Sequence, residues 1–337
     1  MDRAQSSPDG PLSSSVIAAA FGNALDLASQ WRGSTAPNPP VGCILLDASG
    51  DTLAAAAHQR AGGLHAEALA ISLCRANGTL HRIHTVVVTL EPCNHAGRTP
   101  ACTGAILETP ARHVWIGTRD PNPLVVGGGG EHLADAGLSV HALVDLDDPA
   151  APQLAEAAAR LIAPFAKHAV TGKPWVTVKQ ALDRHGSMIP PAGQKTFTSG
   201  ASLDLAHQLR KRADAVLTGS GTILADTPEF TVRRLPDFPG KRRHLVILDR
   251  RGRVPASYVE AAQARGFLVS IETDLADALT QLGRAGCLEV LVEAGVDLTQ
   301  SILISPHWDE HVLIRQRPDP AADDDITVRY RANSEPH

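Results

Sequence analysis

The chain has 337 residues, of which 43% are hydrophobic and 20% charged, the composition of a globular protein long enough for two domains. A formal net charge of −5 argues against a general nucleic-acid binder, which needs a basic surplus to meet the phosphate backbone, yet leaves room for a small anion held by local arginines. No apolar run is long enough for a bilayer and residues 1–11 lack the order of a signal peptide, so no membrane partner, a cytoplasmic location and reduced thiols are expected.

Residues 1–11 read as a disordered leader. Apolar residues then recur at helical spacing over 15–32, and 41–46 is a short apolar run that reads as a strand. A helix is expected over 67–75 and strands over 85–90 and 114–117. This alternation points to an α/β layer fold. Residues 145–152 are acidic and proline-containing, and 153–167 form an Ala-rich helix, so the domain boundary falls between about 150 and 170. A second β/α series follows, with strands expected over 175–179, 215–218, 244–249, 266–271 and 288–293, and helices over 203–212 and 274–284. The expected domains are 12–148 and 170–318. The stretch 319–337, with Asp323, Asp324 and Asp325, reads as solvated and disordered. Aromatic residues are 4% of the chain, so the cores rest on Ala, Val, Leu and Ile. Cys43, Cys74 and Cys287 sit among aliphatic residues and read as buried small hydrophobes.

Cys93 and Cys102 are different, because they lie in a polar loop containing Gly and Pro. Upstream, His65-Ala66-Glu67 opens a helix; Pro92-Cys93 follows a strand, and Cys102 begins the next helix. Three ligands of nitrogen and thiolate type suit a tetrahedral Zn2+ with one position left open for water. Zinc brings the pKa of such a water to about 7. A carboxylate two residues after the His ligand is placed to shuttle protons without binding the metal. The order His-x-Glu then Pro-Cys is the signature of zinc-dependent nucleobase deaminases. A structural zinc site would instead recruit a fourth ligand, and His95 is nearby.

Further residues extend the pattern. Pro37-Asn38-Pro39-Pro40-Val41-Gly42-Cys43 precedes His58 and Gly62, and Glu91 to Cys102 carries eight residues between its cysteines where most deaminases have two. Asp120-Pro121-Asn122-Pro123 comes next. Together these segments resemble the bifunctional riboflavin-biosynthesis deaminase/reductase family. The resemblance implies a cytidine-deaminase-like α/β/α layer domain followed by a dihydrofolate-reductase-like α/β domain. It also implies a small phosphorylated pyrimidine as substrate, a diaminopyrimidinone bearing a ribosylamino 5′-phosphate, and a homo-oligomer. On this mapping His65, Cys93 and Cys102 hold zinc, Glu67 shuttles the proton, and Asn38, His58, His95, Arg98, Asp120 and Asn122 lie near the substrate. Asn38, Asp120 and Asn122 also suit plain turn-making beside prolines.

In the second half, residues 210–228 and Thr231-Val232-Arg233 are similar to the family's reductase motif. This implies NADPH facing Ala181, Thr222 and Asp226, with the sugar phosphate facing Lys179, Arg210, Arg233 and Glu293. Departures from the family are Asp183-Arg184-His185-Gly186, Lys195, Phe197, Arg250 and Glu293-Ala294-Gly295, and the chain ends about forty residues early, without closing strands. These imply a C-terminally shortened domain with a weakened cofactor pocket. They raise, beside riboflavin synthesis, a specialised role in a toxoflavin-type azapteridine pathway. A nucleic-acid base deaminase and a non-catalytic zinc-binding module are the alternatives from other classes.

Overall fold

The computed structural model describes residues 10–94, 101–122, 128–191, 193–194, 196–319 and 322–332. The chain divides into two compact units, Met1–Val170 and Thr171–Glu335.

In the first unit the order is α1 (Ser14–Ser29), β1 (Gly42–Leu46), β2 (Thr52–Ala57), α2 (Ala66–Ala76), β3 (Thr85–Val88), α3 (Cys102–Leu107), β4 (His113–Ile116), α4 (Gly129–Asp135), β5 (Ser139–Ala142) and α5 (Ala151–Thr171). The strands form one sheet in the order β2-β1-β3-β4-β5. β1 runs antiparallel to β2 and β3, and β3, β4 and β5 are parallel. Side chains alternate across a strand, so each strand serves two cores. Cys43, Leu45, Val86 and Val88 pack with Ala66, Ala70, Ile71 and Cys74 of α2, Ile106 of α3 and Leu133 of α4. Ile44, Leu46 and Val87 pack on the other face with Ile17, Phe21 and Ala24 of α1. A sheet covered on both sides must be apolar throughout, and β1, β3 and β4 are buried at every position. β2 has the sequence TLAAAA, in which Thr52 is the only β-branched residue of the kind that announces a strand; it forms because β1 offers it an edge.

The second unit contains β6 (Trp175–Leu182), α6 (Gly200–Arg212), β7 (Ala215–Gly219), α7 (Ser220–Asp226), β8 (His244–Leu248), α8 (Ala256–Ala264), β9 (Leu268–Glu272), α9 (Leu275–Arg284), β10 (Glu289–Val292), α10 (Val296–Ile304), β11 (Glu310–Arg315) and β12 (Asp325–Tyr330). Its seven strands run in the order β12-β11-β6-β10-β7-β8-β9. All neighbouring pairs are parallel except β11 with β12. Val176, Val178, Leu217, Val290 and Val292 meet α9 and α10 through Leu279, Leu282 and Ile302. On the other face Val216, Leu245 and Ile247 meet Ile223 of α7 and Tyr258 and Ala262 of α8.

β12 corrects the expectation for the end of the chain. Residues 325–330 are not a solvated tail: they pair antiparallel with the whole of β11, from Glu310 opposite Tyr330 to Arg315 opposite Asp325. The three aspartates suggest solvation, but Ile326, Val328 and Tyr330 alternate as a strand needs, and an edge strand tolerates exposure on both faces. Cys43, Cys74 and Cys287 are free and buried. Among the described residues no helix is long and apolar enough to cross a membrane.

Candidate metal centre and the cavity of the second unit

β3 and α2 place the chemistry of the first unit. The chain leaves β3 through Thr89 and Leu90 and reaches Cys93, while His65 is the N-cap of α2 and Cys102 the first residue of α3. The Sγ atoms of Cys93 and Cys102 lie 3.6 and 3.3 Å from His65 Nδ1. One donor atom from each residue falls within 4.8 Å of the other two, and these are the only three that do so among the described residues. Tetrahedral ligands at about 2.0–2.3 Å from zinc stand roughly 3.5 Å apart, so the spacing suits the metal. The backbone N–H of Cys102 donates to Cys93 Sγ at 3.4 Å, and Thr103 N–H donates to the Cys93 carbonyl at 3.2 Å, which fixes one cysteine against the other.

The donor set also suits a dication on electrostatic grounds. The neighbouring Cys102 thiol, then the His65 ring, hold Cys93 down to about 4 against the opposing effect of burial. Cys102 is pushed up by that same Cys93 sulfur, then by burial. Unaided, only one of the two sulfurs carries charge; a divalent cation takes both as thiolates. Glu67 lies in the first turn of α2, buried beside them with its carboxyl hydrogen-bonded to Cys102, and burial raises its pKa. Cys93→Ser is expected to lose both zinc and deamination. Metal analysis that finds one zinc per chain in that variant, with activity intact, would remove Cys93 from the site.

Two further expected residues meet at this end of the sheet. His58 is buried, and its ring lies edge-on to His65 with centroids 5.3 Å apart. Its Nδ1 donates to the Leu64 carbonyl at 2.9 Å, leaving Nε2 to accept from Asn38 Nδ2 at 3.4 Å. Burial lowers the His58 pKa, so the ring is neutral at pH 7. Asp120 Oδ1 accepts the Asn122 N–H at 2.9 Å, which makes the turn at that point. His95 and Arg98 lie outside the described residues.

The second unit gathers its charged residues in one place. Arg210 on α6 donates through Nε and Nη2 to the two oxygens of Glu293 at 2.5 and 2.8 Å, and Lys179 Nζ on β6 reaches Glu293 at 3.3 Å. Glu293 is buried, which works to raise its pKa, but Lys179 and then Arg210 outweigh this and hold it at about 2. Arg233 does not join this cluster. Its guanidinium pairs with Glu229 and its N–H donates to His207 Nδ1 at 2.9 Å, although Arg210 Nη1 reaches the nearby Thr231 carbonyl at 3.4 Å.

A cavity of about 790 Å³ opens at the carboxyl ends of β7, β8, β9 and β10. Gly219, Ser220, Gly221 and Thr222 line one wall and Gly295 another, with Thr222 Oγ1 accepting the Gly295 N–H at 2.9 Å. In open parallel sheets ligands occupy the crevice at the carboxyl ends of the strands. Arg250, Arg251 and Arg253 also line the cavity, and Arg253 Nη2 donates to Ser220 Oγ at 3.0 Å. Of the residues expected at a cofactor, Thr222 lines the cavity. Ala181 of β6, paired with Ile314 of β11, and Asp226, at the end of α7, do not. Arg251 and Arg253 were not singled out from sequence. The run Asp249-Arg250-Arg251-Gly252-Arg253 is the signal that could have found them.

Comparison with known proteins places each of the two units in a family. Residues 17–118 match the family described as the cytidine and deoxycytidylate deaminase zinc-binding region, and 174–314 match the RibD C-terminal domain. The riboflavin biosynthesis protein RibD of Corynebacterium ammoniagenes is 35% identical over 290 residues, covering 84% of this chain and 80% of that protein. The chain belongs to the RibD family. RibD of Aquifex aeolicus is likewise 35% identical, over 82% of this chain and 73% of its own length. Two solved structures share the architecture. Acinetobacter baumannii RibD has a TM-score of 0.76 at 29% identity, covering 92% of this chain and 90% of its own. The second is a diaminohydroxyphosphoribosylaminopyrimidine deaminase/5-amino-6-(5-phosphoribosylamino)uracil reductase from Thermotoga maritima. It has a TM-score of 0.76 at 28% identity, covering 93% and 90%.

Membership in the RibD family makes this chain a zinc-dependent deaminase joined to a reductase of riboflavin biosynthesis, with His65, Cys93 and Cys102 as the zinc site. It is thus an enzyme and not a bare zinc-binding module. The relatives give the toxoflavin-type role no support. Despite the departures at Phe197 and Arg250, the second unit remains a RibD reductase domain, which implies a nicotinamide cofactor.

Proposed function

We propose that the first unit acts on 2,5-diamino-6-(5-phosphoribosylamino)pyrimidin-4-one, releasing its 2-amino group as ammonia, and that the second reduces the ribosyl group of the product with NADPH. The observation that carries this reading is the convergence of His65, Cys93 and Cys102 with the buried Glu67, at the heart of a chain similar to enzymes named for these substrates.

Zinc held by the triad supplies a Lewis acid that makes water a usable nucleophile near neutral pH. Glu67 receives the proton that water gives up as its oxygen bonds to C2, and returns it to the departing amino group, so the C–N bond breaks with ammonia as the leaving group. Asn38 and neutral His58 read one edge of the ring, and the turn of Asp120 and Asn122 another. His95 and Arg98 are assigned to the same substrate on their sequence positions, with Arg98 at the phosphate.

In the second unit NADPH supplies hydride. Thr222 is assigned to the cofactor, and Lys179, Arg210 and Glu293 to the sugar phosphate. The arginines of the 250–253 turn favour a 2′-phosphate, since each charge-assisted contact is stronger than a neutral one. The test is to offer the purified chain the diaminopyrimidinone phosphate and follow ammonia with and without NADPH. Ammonia is expected in both cases, with NADPH oxidised only once the deaminated product forms. Arg250→Ala is expected to raise the KM for NADPH by about 10-fold, the loss of one such contact, and to leave NADH unchanged. No ammonia from the zinc-loaded chain would overturn the substrate assignment; equal effects on both nucleotides would remove Arg250 from the 2′-phosphate.

A further inference from the structure

Glu91 stands two residues before the zinc ligand Cys93 and takes no part in the triad. Its side chain is committed to main-chain groups from two separate places. Oε2 accepts the Asp120 N–H at 3.2 Å and Oε1 accepts the Gly130 N–H at 3.0 Å. Its own N–H donates to the Thr118 carbonyl at 2.9 Å. Thr118 and Asp120 enter the turn closed by the Asn122 N–H on Asp120 Oδ1, and Gly130 belongs to the first turn of α4. Gly129, just before it, adds a steric contact. A Cβ on Gly129 would come within 1.9 Å of the Pro92 carbonyl oxygen, so only glycine lets α4 start this close to the zinc-binding strand end.

The geometry points to Glu91 as a positioning residue that holds the 118–122 turn, and with it Asp120 and Asn122, at a set distance from the zinc ligands. The Asp120 and Gly130 amides share one carboxylate whose backbone leads directly to Cys93. A carboxylate presents acceptors on both oxygens, and its hydrogen bonds to N–H groups are stronger than neutral ones. Glutamine cannot replace it: one of its two ends is an NH2, which would face an N–H, so Glu91→Gln releases either Asp120 or Gly130. The inference deepens the proposed function and rests on its reading that Asp120 and Asn122 meet the substrate.

The test compares Glu91→Gln and Glu91→Asp with the wild-type chain in zinc content, deamination kinetics and amide hydrogen exchange. Glu91→Gln is expected to keep one zinc per chain and to raise the KM for the diaminopyrimidinone phosphate on the order of 10-fold or more, since small displacements of positioning groups carry such penalties. kcat changes less, and the Asp120 or Gly130 amide exchanges faster. Glu91→Asp keeps the charge and recovers part of the loss. Unchanged KM and exchange, or loss of zinc with no change at the turn, would overturn the assignment. Should Glu91→Gln fail to fold, the wild-type amides decide: both are expected to be protected without substrate, and fast exchange at either sinks the anchor. Asp120→Ala separates the two ideas. If it leaves KM unchanged while Glu91→Gln still speeds exchange, the substrate reading of the turn fails and the anchor stands.

Discussion

Glu67→Gln is expected to retain one zinc per chain and to slow deamination by about 10²- to 10⁴-fold, the usual contribution of a positioned proton carrier. Glu67 is buried in the first turn of α2, two residues past His65, and its carboxyl meets Cys102 and not open solvent. An amide fills the same space and keeps a hydrogen bond, so packing is preserved and only proton transfer is removed. Metal analysis and steady-state ammonia release on the same preparation check both halves. Release of zinc from the variant would make Glu67 a ligand; an unchanged rate would hand proton transfer to another group.

The other large effect is expected in stability. Glu293 joins α6 and β6 through Arg210 and Lys179, and its side chain is only 7% exposed. Holding its carboxyl at about 2, against an ordinary 4.5, contributes about 3 kcal/mol to folding. Because the folded value is depressed, that contribution is present above about pH 4.5 and is lost as the pH falls toward 2. Glu293→Gln leaves two cations facing a neutral amide, at a cost of about 3–5 kcal/mol at pH 7. Urea denaturation of the full chain at pH 7 and pH 3 is expected to show a clear gap between variant and wild type at the higher pH, and a narrower one at the lower. A gap independent of pH would mean that the ionised carboxylate is not what matters there.

The zinc triad was legible in the sequence because each ligand lies at the end of an element whose own pattern is local. His65 precedes a helical repeat, Cys93 follows a β-branched run, and Glu67 is fixed by a two-residue spacing from His65. The strands β1, β3, β4, β7 and β8 were legible for the same reason: covered on both sides, they are continuous apolar runs. β2 and β12 were not. The first is mostly alanine and the second follows an acidic stretch, and both exist because a neighbouring strand offers hydrogen bonds.

By itself, then, the amino-acid sequence determined the layer class of both units, the identity of the zinc ligands and the place of Glu67 beside them, because these rest on residue type and short spacing. Only the tertiary structure decided which distant residues share a site. Lys179 and Glu293 are 114 positions apart and meet because the non-sequential order β6-β10-β7 sets their strands side by side. Arg233, the last residue of the Thr231-Val232-Arg233 motif, is drawn instead to Glu229. The double anchoring of Glu91 likewise depends on β3 lying beside β4, which brings the turn after β4 and the start of α4 within reach of one carboxylate. Such pairings arise from sheet order and register, which periodicity along the chain does not encode.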